Sequence, residues 1–305
     1  MYIGVDIGGM SIKAGIVNED GKILAKCAVP TPCNNEAAFC EAMLESIKKA
    51  LEKANIKKDE IKAIGVGSPG AVEREDGILL EAENIGYKRI DARGFLQKNL
   101  GDIPVFVDND ANCAALGEYY NSKKSRSFIF ITLGTGIGGG IIVGGKLFTG
   151  RNGAAGELGH IVTHAGGRLC NCGRPGCWER YGSMTGLIQT ATERRDEIKT
   201  LGKNEEITGK LVFDLAEKGD EGAKKIVSDW IEEVAIGVVD MTNIFQPDEI
   251  VIGGAVSAQG DTLINPIREY AKKFVFCADT IGIPEISASK IGGDAGIIGA
   301  AFLGK

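Results

Sequence analysis

One layout occurs twice in this chain. Tyr2 to Asp6 reads as a strand. It leads into Gly8-Gly9, a second strand over Ser11–Val17, the turn Asn18-Glu19-Asp20-Gly21 and a third strand over Lys22–Val29. Phe128–Leu133, the run Gly134-Thr135-Gly136-Ile137-Gly138-Gly139-Gly140 and the turn Gly144-Gly145-Lys146 repeat that plan. Such a repeat predicts an α/β protein of two similar domains, and 305 residues suffice for two cores. The polar stretch Asn121–Ser127 marks the expected boundary, with domains over 1–121 and 122–292. The small-residue tail after Gly293 is expected to form a helix that packs back on the first domain. Glycine removes the Cβ atoms that keep a phosphate from backbone N–H groups, so two glycine hairpins on one cleft can hold a polyphosphate from both sides. In the first hairpin Ser11 and Lys13 add donors, and Asp6 at the strand end can hold a water of a bound Mg²⁺. Taken alone, that hairpin is equally consistent with a plain turn.

Glycine accounts for 44 residues, about twice the usual share. It clusters in a few loops, which points to backbone approaching a ligand. The net charge of −6 argues against sequence-independent binding to nucleic acid or to an acidic membrane surface. No signal peptide and no apolar run of bilayer length is present, and scattered cysteines such as Cys27, Cys40, Cys113 and Cys277 read as reduced thiols. The expected compartment is the cytoplasm.

Phe39, Met43, Ile47 and Leu51 recur at helical spacing behind Asn34 or Asn35, predicting a helix to about Ala54. Ile61–Gly67 reads as a buried strand running into the sharp loop Ser68-Pro69-Gly70, and residues 71–95 read as irregular, carrying Asn84 and Tyr87. The strand Ile103–Val107 precedes Asp108-Asn109-Asp110-Ala111-Asn112, a strand end meeting a helix start, where open α/β sheets bind ligands. Asp108 or Asp110 can act there chemically or merely cap the helix. Farther on, helices are expected over 183–195, 208–217, 220–244 and 262–274, with a strand Glu249–Ile252 ending in a third glycine turn, Gly253-Gly254-Ala255.

The stretch Gly156–Ser183 holds Cys170, Cys172 and Cys177 within eight residues, with both histidines of the chain, His160 and His164, just upstream. Thiolates and an imidazole at this density suit tetrahedral Zn²⁺. Spacing leaves open which histidine is the fourth ligand. Glu157 and Glu179 flank the cluster, and fixed acids suit a polar ligand.

With these residues in view the chain resembles the ROK family (repressors, open reading frames and kinases), and within it the bacterial glucokinases. The resemblance rests on DIGG near the start, SPG at 68–70, VDNDAN at 107–112, LGTGIGGGIIVGGKLFTGRNGAAGELGH at 133–160, LCNCGRPGCWERYGS at 169–183 and IGGA at 252–255. It implies the actin-like, ribonuclease H-like ATPase fold, with a zinc-binding loop over 156–183, and an ATP-dependent hexose kinase. Glucose is the leading acceptor; N-acetylmannosamine, mannose or fructose are alternatives. Carried over residue by residue, it makes Asp110 the general base. Gly70, Asn84, Asn109, Glu157, His160 and Glu179 become sugar partners, and His160, Cys170, Cys172 and Cys177 the zinc ligands. Gly8, Gly9, Ser11, Lys13, Thr135 and Gly136 become the phosphate loops, and Gly253 and Gly254 the adenosine loop. The implied cofactors are ATP, Mg²⁺ and a structural Zn²⁺, and the implied assembly is a homodimer. Met10 stands where the family's first phosphate loop usually has threonine, and Tyr87 where tryptophan is frequent. Repressors of the same family carry an N-terminal DNA-binding domain, for which a first strand at residue 2 leaves no room.

Overall fold

The computed structural model describes residues 1–82, 85–122 and 125–305. Two compact units result: Met1–Phe130 with Gly139–Gly156 and Lys290–Lys305, and Ile131–Gly138 with Glu157–Ser289. Lys290–Lys305 falls in the first unit, while around the boundary expected near residue 121 the division is interleaved, with Gly139–Gly156 in the first unit and Ile131–Gly138 in the second.

The first sheet is built from β1 (Tyr2–Ile7), β2 (Ser11–Val17), β3 (Ile23–Pro30), β4 (Ala63–Ser68) and β8 (Val105–Asn109), in the order β3-β2-β1-β4-β8. β1, β2 and β3 form an antiparallel meander, and β4 and β8 add in parallel. The second sheet holds β9 (Ser127–Leu133), β10 (Ile137–Val143), β11 (Lys146–Leu147), β12 (Glu249–Gly253) and β13 (Glu285–Ala288), ordered β11-β10-β9-β12-β13. The two orders are the same, so the repeat seen in sequence is also a repeat of topology. The strand β13 has no counterpart in the sequence reading, since Glu285-Ile286-Ser287-Ala288 is short and only Ile286 is fully apolar and buried.

Helix α1 (Glu36–Ala54) starts where Asn35 accepts a hydrogen bond from Ala38 N and stops at Asn55 in the left-handed conformation. Its stripe Phe39, Met43 and Ile47 packs with Ile3, Val5, Ile7, Ile12, Ala14 and Ile16 of the sheet. The opposite sheet face receives α10 (Ala295–Ala301). Glycine makes that contact possible: Gly4 pairs with Gly15 and with Gly65, so three glycines form a row across β2, β1 and β4. A Cβ at Gly4 would lie 1.8 Å from Ile297 O, and one at Gly65 would lie 1.7 Å from Ala300 O. The helix thus rests on bare backbone, and its own Gly299 approaches Cys113 O of α3 (Asp110–Asn121) in the same way.

A Gly65→Ala variant is expected to be destabilised by about 3 kcal/mol, because a backbone carbonyl rather than a flexible side chain must move. Gly293→Ala, whose added Cβ meets nothing within 4 Å, is expected to stay within about 0.5 kcal/mol of wild type. Denaturant unfolding of the pair checks this. Equal midpoints for Gly65→Ala and wild type would show that α10 does not rest on the sheet backbone.

The described residues of 71–95, a stretch expected to be irregular, form regular elements. β5 (Ala71–Glu73), β6 (Ile78–Ala82) and β7 (Tyr87–Asp91) make a small antiparallel sheet, followed by α2 (Ala92–Leu100) with Asp91 as its cap. Three to five residues per strand leave too few alternations to read. The signal present was one or two buried apolar positions per short segment: Val72, then Leu79 and Ala82, then Tyr87 and Ile90.

In the second unit α4 (Glu179–Gly182), α5 (Met184–Glu193), α6 (Gly209–Glu217), α7 (Glu221–Phe245), α8 (Asp261–Phe274) and α9 (Ala278–Ile281) complete the helices. The turn after β12 opens a 3-10 segment, Ala255–Gln259, and the α-helix begins only at Asp261. No helix of the described residues is long and apolar enough to cross a membrane.

Candidate functional site

In the first unit β8 ends at Asn109 and α3 begins at Asp110. The cap is Asn109: its Oδ1 accepts from Ala111 N at 2.9 Å and Asn112 N at 3.3 Å. Its Nδ2 donates to Gly70 O at 3.3 Å, which joins two sequence-predicted site residues. Gly70 has φ +80°, and a Cβ there would lie 1.9 Å from Glu81 O, so this turn requires glycine. Asp110 Oδ1 accepts from Ala111 N at 2.9 Å. Its carboxylate therefore sits at a helix N-terminus that favours negative charge. Asn109 is the cap proper, and Asp110 shares the Ala111 N donor with it.

Asp108 is fully buried. Its Oδ1 accepts from Asn109 N at 2.8 Å and from Asn112 Nδ2 at 2.9 Å. Its Oδ2 lies 2.8 Å from Arg74 Nε as an ion pair, though no donor is aligned on that oxygen for a hydrogen bond. Burial pushes the Asp108 carboxyl up, and Arg74 and Asn112 oppose that shift. Asp108 is one of the two acids that the sequence leaves open between chemistry and capping, and Arg74 is not singled out there. Asn84 lies outside the described residues. Tyr87 is not a ligand-facing substitute for tryptophan. It is buried, its hydroxyl meets Ser68 Oγ, its ring packs on Phe39 with centroids 4.9 Å apart, and burial raises its phenol.

The first glycine hairpin belongs to the same unit. Gly8 N donates to Ser11 O at 3.0 Å, and Gly8 O accepts from Thr31 Oγ1 at 2.6 Å. Gly8 is thus committed to shaping the turn, and Gly9 and Met10 form its exposed tip. Lys13 Nζ pairs with Asp6 at 3.1 Å. A Cβ on Gly296 of α10 would come within 2.9 Å of that carboxylate.

In the second unit the ligand atoms of His160, Cys170, Cys172 and Cys177 all lie within 4.8 Å of one another. Cys172 Sγ is 3.6 Å from Cys177 Sγ, and Cys170 Sγ is 3.7 Å from His160 Nδ1. Bond lengths of about 2.3 Å to sulfur and 2.0 Å to nitrogen put neighbouring ligands of a tetrahedral Zn²⁺ roughly 3.5–3.8 Å apart. The set fits a closed zinc site. His164 is engaged elsewhere: Nδ1 meets Thr163 Oγ1 at 3.0 Å, Nε2 lies 3.4 Å from Glu233 Oε1, and the ring stacks on Tyr181. Geometry therefore selects His160, which spacing alone left undecided. Gly176 has φ +85°, and a Cβ there would strike His164 O at 1.7 Å, so the loop closes only with glycine.

Trp178 follows Cys177 and anchors the loop. It is fully buried, its Nε1 donates to Glu233 O at 2.7 Å, and Gly237 of α7 receives the ring, since a Cβ there would lie 2.1 Å from it. The next residue, Glu179, has Oε2 accepting from Ile137 N at 2.9 Å, and Oε1 lies 3.9 Å from Cys170 Sγ. This carboxylate joins the cysteine loop to the second glycine hairpin. Gly136 is part of that join, because a Cβ there would lie 2.1 Å from Glu179 Oε2. Gly134 N donates to Gly136 O, and Thr185 Oγ1 donates to Thr135 O. Gly254, with φ +89°, lets the turn after Gly253 approach Leu133 O. Glu157 begins the short turn to His160, whose N donates to Glu157 O at 3.1 Å.

Two sheets of the same five-strand order, each opening on a glycine hairpin, define an actin-like α/β ATPase fold. The chain belongs to the ROK family, whose model matches residues 2–305. It is 36% identical over 314 residues to a glucokinase of Halalkalibacterium halodurans, covering 100% of this chain and 94% of that one. It is 37% identical over 316 residues to a glucokinase of Streptomyces coelicolor, with 100% and 98% covered. Among solved structures, a ROK family glucokinase from Streptomyces griseus in complex with glucose and AMPPNP superposes with a TM-score of 0.82 at 35% identity, covering 99% of this chain and 98% of that one.

Proposed function

We propose that this protein is an ATP-dependent hexose kinase acting on glucose, with Asp110 as the general base. The observation that carries the reading is the turn at Asn109–Asp110. Asn109 caps the helix, and beside it Ala111 N holds the Asp110 carboxylate at the same helix start, the position that the resemblance assigns to the base. Support comes from full-length similarity at 36% and 37% to glucokinases and from the glucose and AMPPNP complex of a relative.

The chemistry follows from charge and position. Phosphoryl transfer asks mainly for alignment and neutralisation. Asp110 accepts the proton of the attacking hydroxyl and orients it. Asn109, Gly70, Glu157, His160 and Glu179 are the proposed hydroxyl partners, and Asn84 is kept from the sequence reading. Glu179 suits this role because Ile137 N and the cysteine loop fix its direction. The hairpins 8–13 and 134–136 are the proposed phosphate loops. Gly8 supplies their shape, since its N–H closes the turn, and Gly9, Ser11 and Lys13 are the proposed donors. Gly253 and Gly254 are the proposed adenosine loop. Asp6 would hold Mg²⁺, which would supply neutralisation of the phosphates. Zn²⁺ on His160, Cys170, Cys172 and Cys177 fixes the loop between Glu157 and Glu179. A homodimer in the cytoplasm is the proposed setting.

The test is sugar-stimulated ADP release from zinc-replete protein with Mg²⁺ over a panel of glucose, mannose, fructose and N-acetylmannosamine. Glucose is expected to give the highest kcat/KM. Stimulation by none of them would overturn the reading, and a clear preference for another hexose would reassign the acceptor.

A further inference from the structure

We infer that Arg74 is a positioning residue for the phosphoryl transfer, acting on Asp110 through the buried carboxylate of Asp108; this rests on the reading of Asp110 as base. Asp108 Oδ1 holds both flanks of the base, Asn109 through its backbone N–H and Asn112 through its side-chain amide. An asparagine could accept the same two bonds without charge. A carboxylate in a fully buried position requires a counter-ion, and Arg74 Nε at 2.8 Å from Oδ2 is the one present.

Arg74 reaches in two directions. Besides Asp108, its Nη1 donates to Thr149 Oγ1 at 3.2 Å, near Gly153, where an added Cβ would stand 3.8 Å from Cδ. Its own backbone is braced by Arg93, whose Nη2 donates to Arg74 O, whose Nη1 donates to Glu75 O at 2.6 Å and whose Nε donates to Val105 O at the start of β8. One guanidinium therefore ties the strand that carries the base to the segment 149–153, and Arg93 fixes that guanidinium's origin to the same strand. A lysine has one point of charge and cannot address Asp108 and Thr149 with a planar fork.

The experiment measures kcat, KM for glucose and KM for ATP in wild type, Arg74→Met, Arg74→Lys, Asp108→Asn and the double variant Arg74→Met/Asp108→Asn. Arg74→Met is expected to lower kcat by about 10- to 100-fold, the scale of a roughly 1 Å misplacement, with KM for ATP changed less than about twofold. Arg74→Lys recovers part of that loss. The double variant is faster than Arg74→Met because it no longer buries an unpaired charge. Because the same neutralisation also restores stability, kcat is referred to the folded fraction measured by circular dichroism. If Arg74→Met fails to fold, the double variant carries the test, with lowered kcat and unchanged KM for ATP expected. Wild-type kcat in Arg74→Met, or a double variant no faster than Arg74→Met, would overturn this inference alone. Absence of hexose-stimulated turnover in wild type would overturn the kinase reading and this inference with it.

Discussion

Asp110→Asn is expected to fold like wild type and still bind glucose while kcat falls by about 10²- to 10⁴-fold, the range for loss of a general base. The fold should survive because the helix cap is not Asp110. Asn109 Oδ1 serves Ala111 N and Asn112 N, and the asparagine carbonyl at 110 can keep the bond to Ala111 N. The amide matches the carboxylate in size but cannot accept the hydroxyl proton. The effect therefore falls mainly on kcat, with the glucose dissociation constant changed by about tenfold at most, since one acceptor oxygen becomes an amide donor and the charge is lost. Steady-state kinetics with calorimetric titration of glucose separates the two quantities. A variant retaining more than a tenth of wild-type kcat would return Asp110 to a structural role.

Cys172→Ser is expected to lose its zinc and raise the KM for glucose by about 100-fold, the scale of a shift of roughly 1 Å in a binding group. Cys172 is exposed, so the substitution opens no cavity and changes little apart from the fourth ligand position. Trp178 keeps the far end of the loop on α7 through Glu233 O, which should preserve the fold. What loosens is the segment between Glu157 and Glu179. ATP affinity is expected to fall by less than glucose affinity, because the first hairpin closes on its own bonds, Gly8 N to Ser11 O and Thr31 Oγ1 to Gly8 O, while the second is joined to the loop through Glu179 and Ile137 N. His164→Ala is the control and should keep one zinc per chain, given its engagement with Thr163 and Glu233. Metal analysis beside glucose and ATP titrations reads all three. Full zinc in Cys172→Ser, or normal glucose affinity without zinc, would contradict the role given to the loop.

Much of the fold was legible because its determinants are local. The glycine hairpins, the Phe39–Met43–Ile47 stripe and the Asn35 cap are each encoded within a few residues, and the doubled hairpin gave away the doubled sheet. The partnership of Gly4, Gly15 and Gly65 was not legible, since their in-register row appears only when β2, β1 and β4 are side by side. The choice of His160 over His164 has the same character. Both histidines precede the cysteines, and only the stacking of His164 on Tyr181 and its approach to Glu233 exclude it. Arg74 was missed for a related reason. It follows a three-residue strand in a stretch with no clear period, and its partner Asp108 is more than thirty positions away. Gly136, read as a phosphate-loop glycine, has a second reason to be glycine that the sequence does not show: Glu179 occupies the space of a Cβ.

The central claim, transfer of the terminal phosphoryl group of ATP to glucose with Asp110 taking the proton, is tested most directly by following the reaction of ATP, Mg²⁺ and glucose by phosphorus NMR with wild type and Asp110→Asn in parallel. The account predicts a sugar phosphate ester growing in step with ADP in the wild-type sample and at least about 100-fold more slowly with the variant. ADP with inorganic phosphate and no sugar ester, or equal ester formation by both proteins, would contradict it.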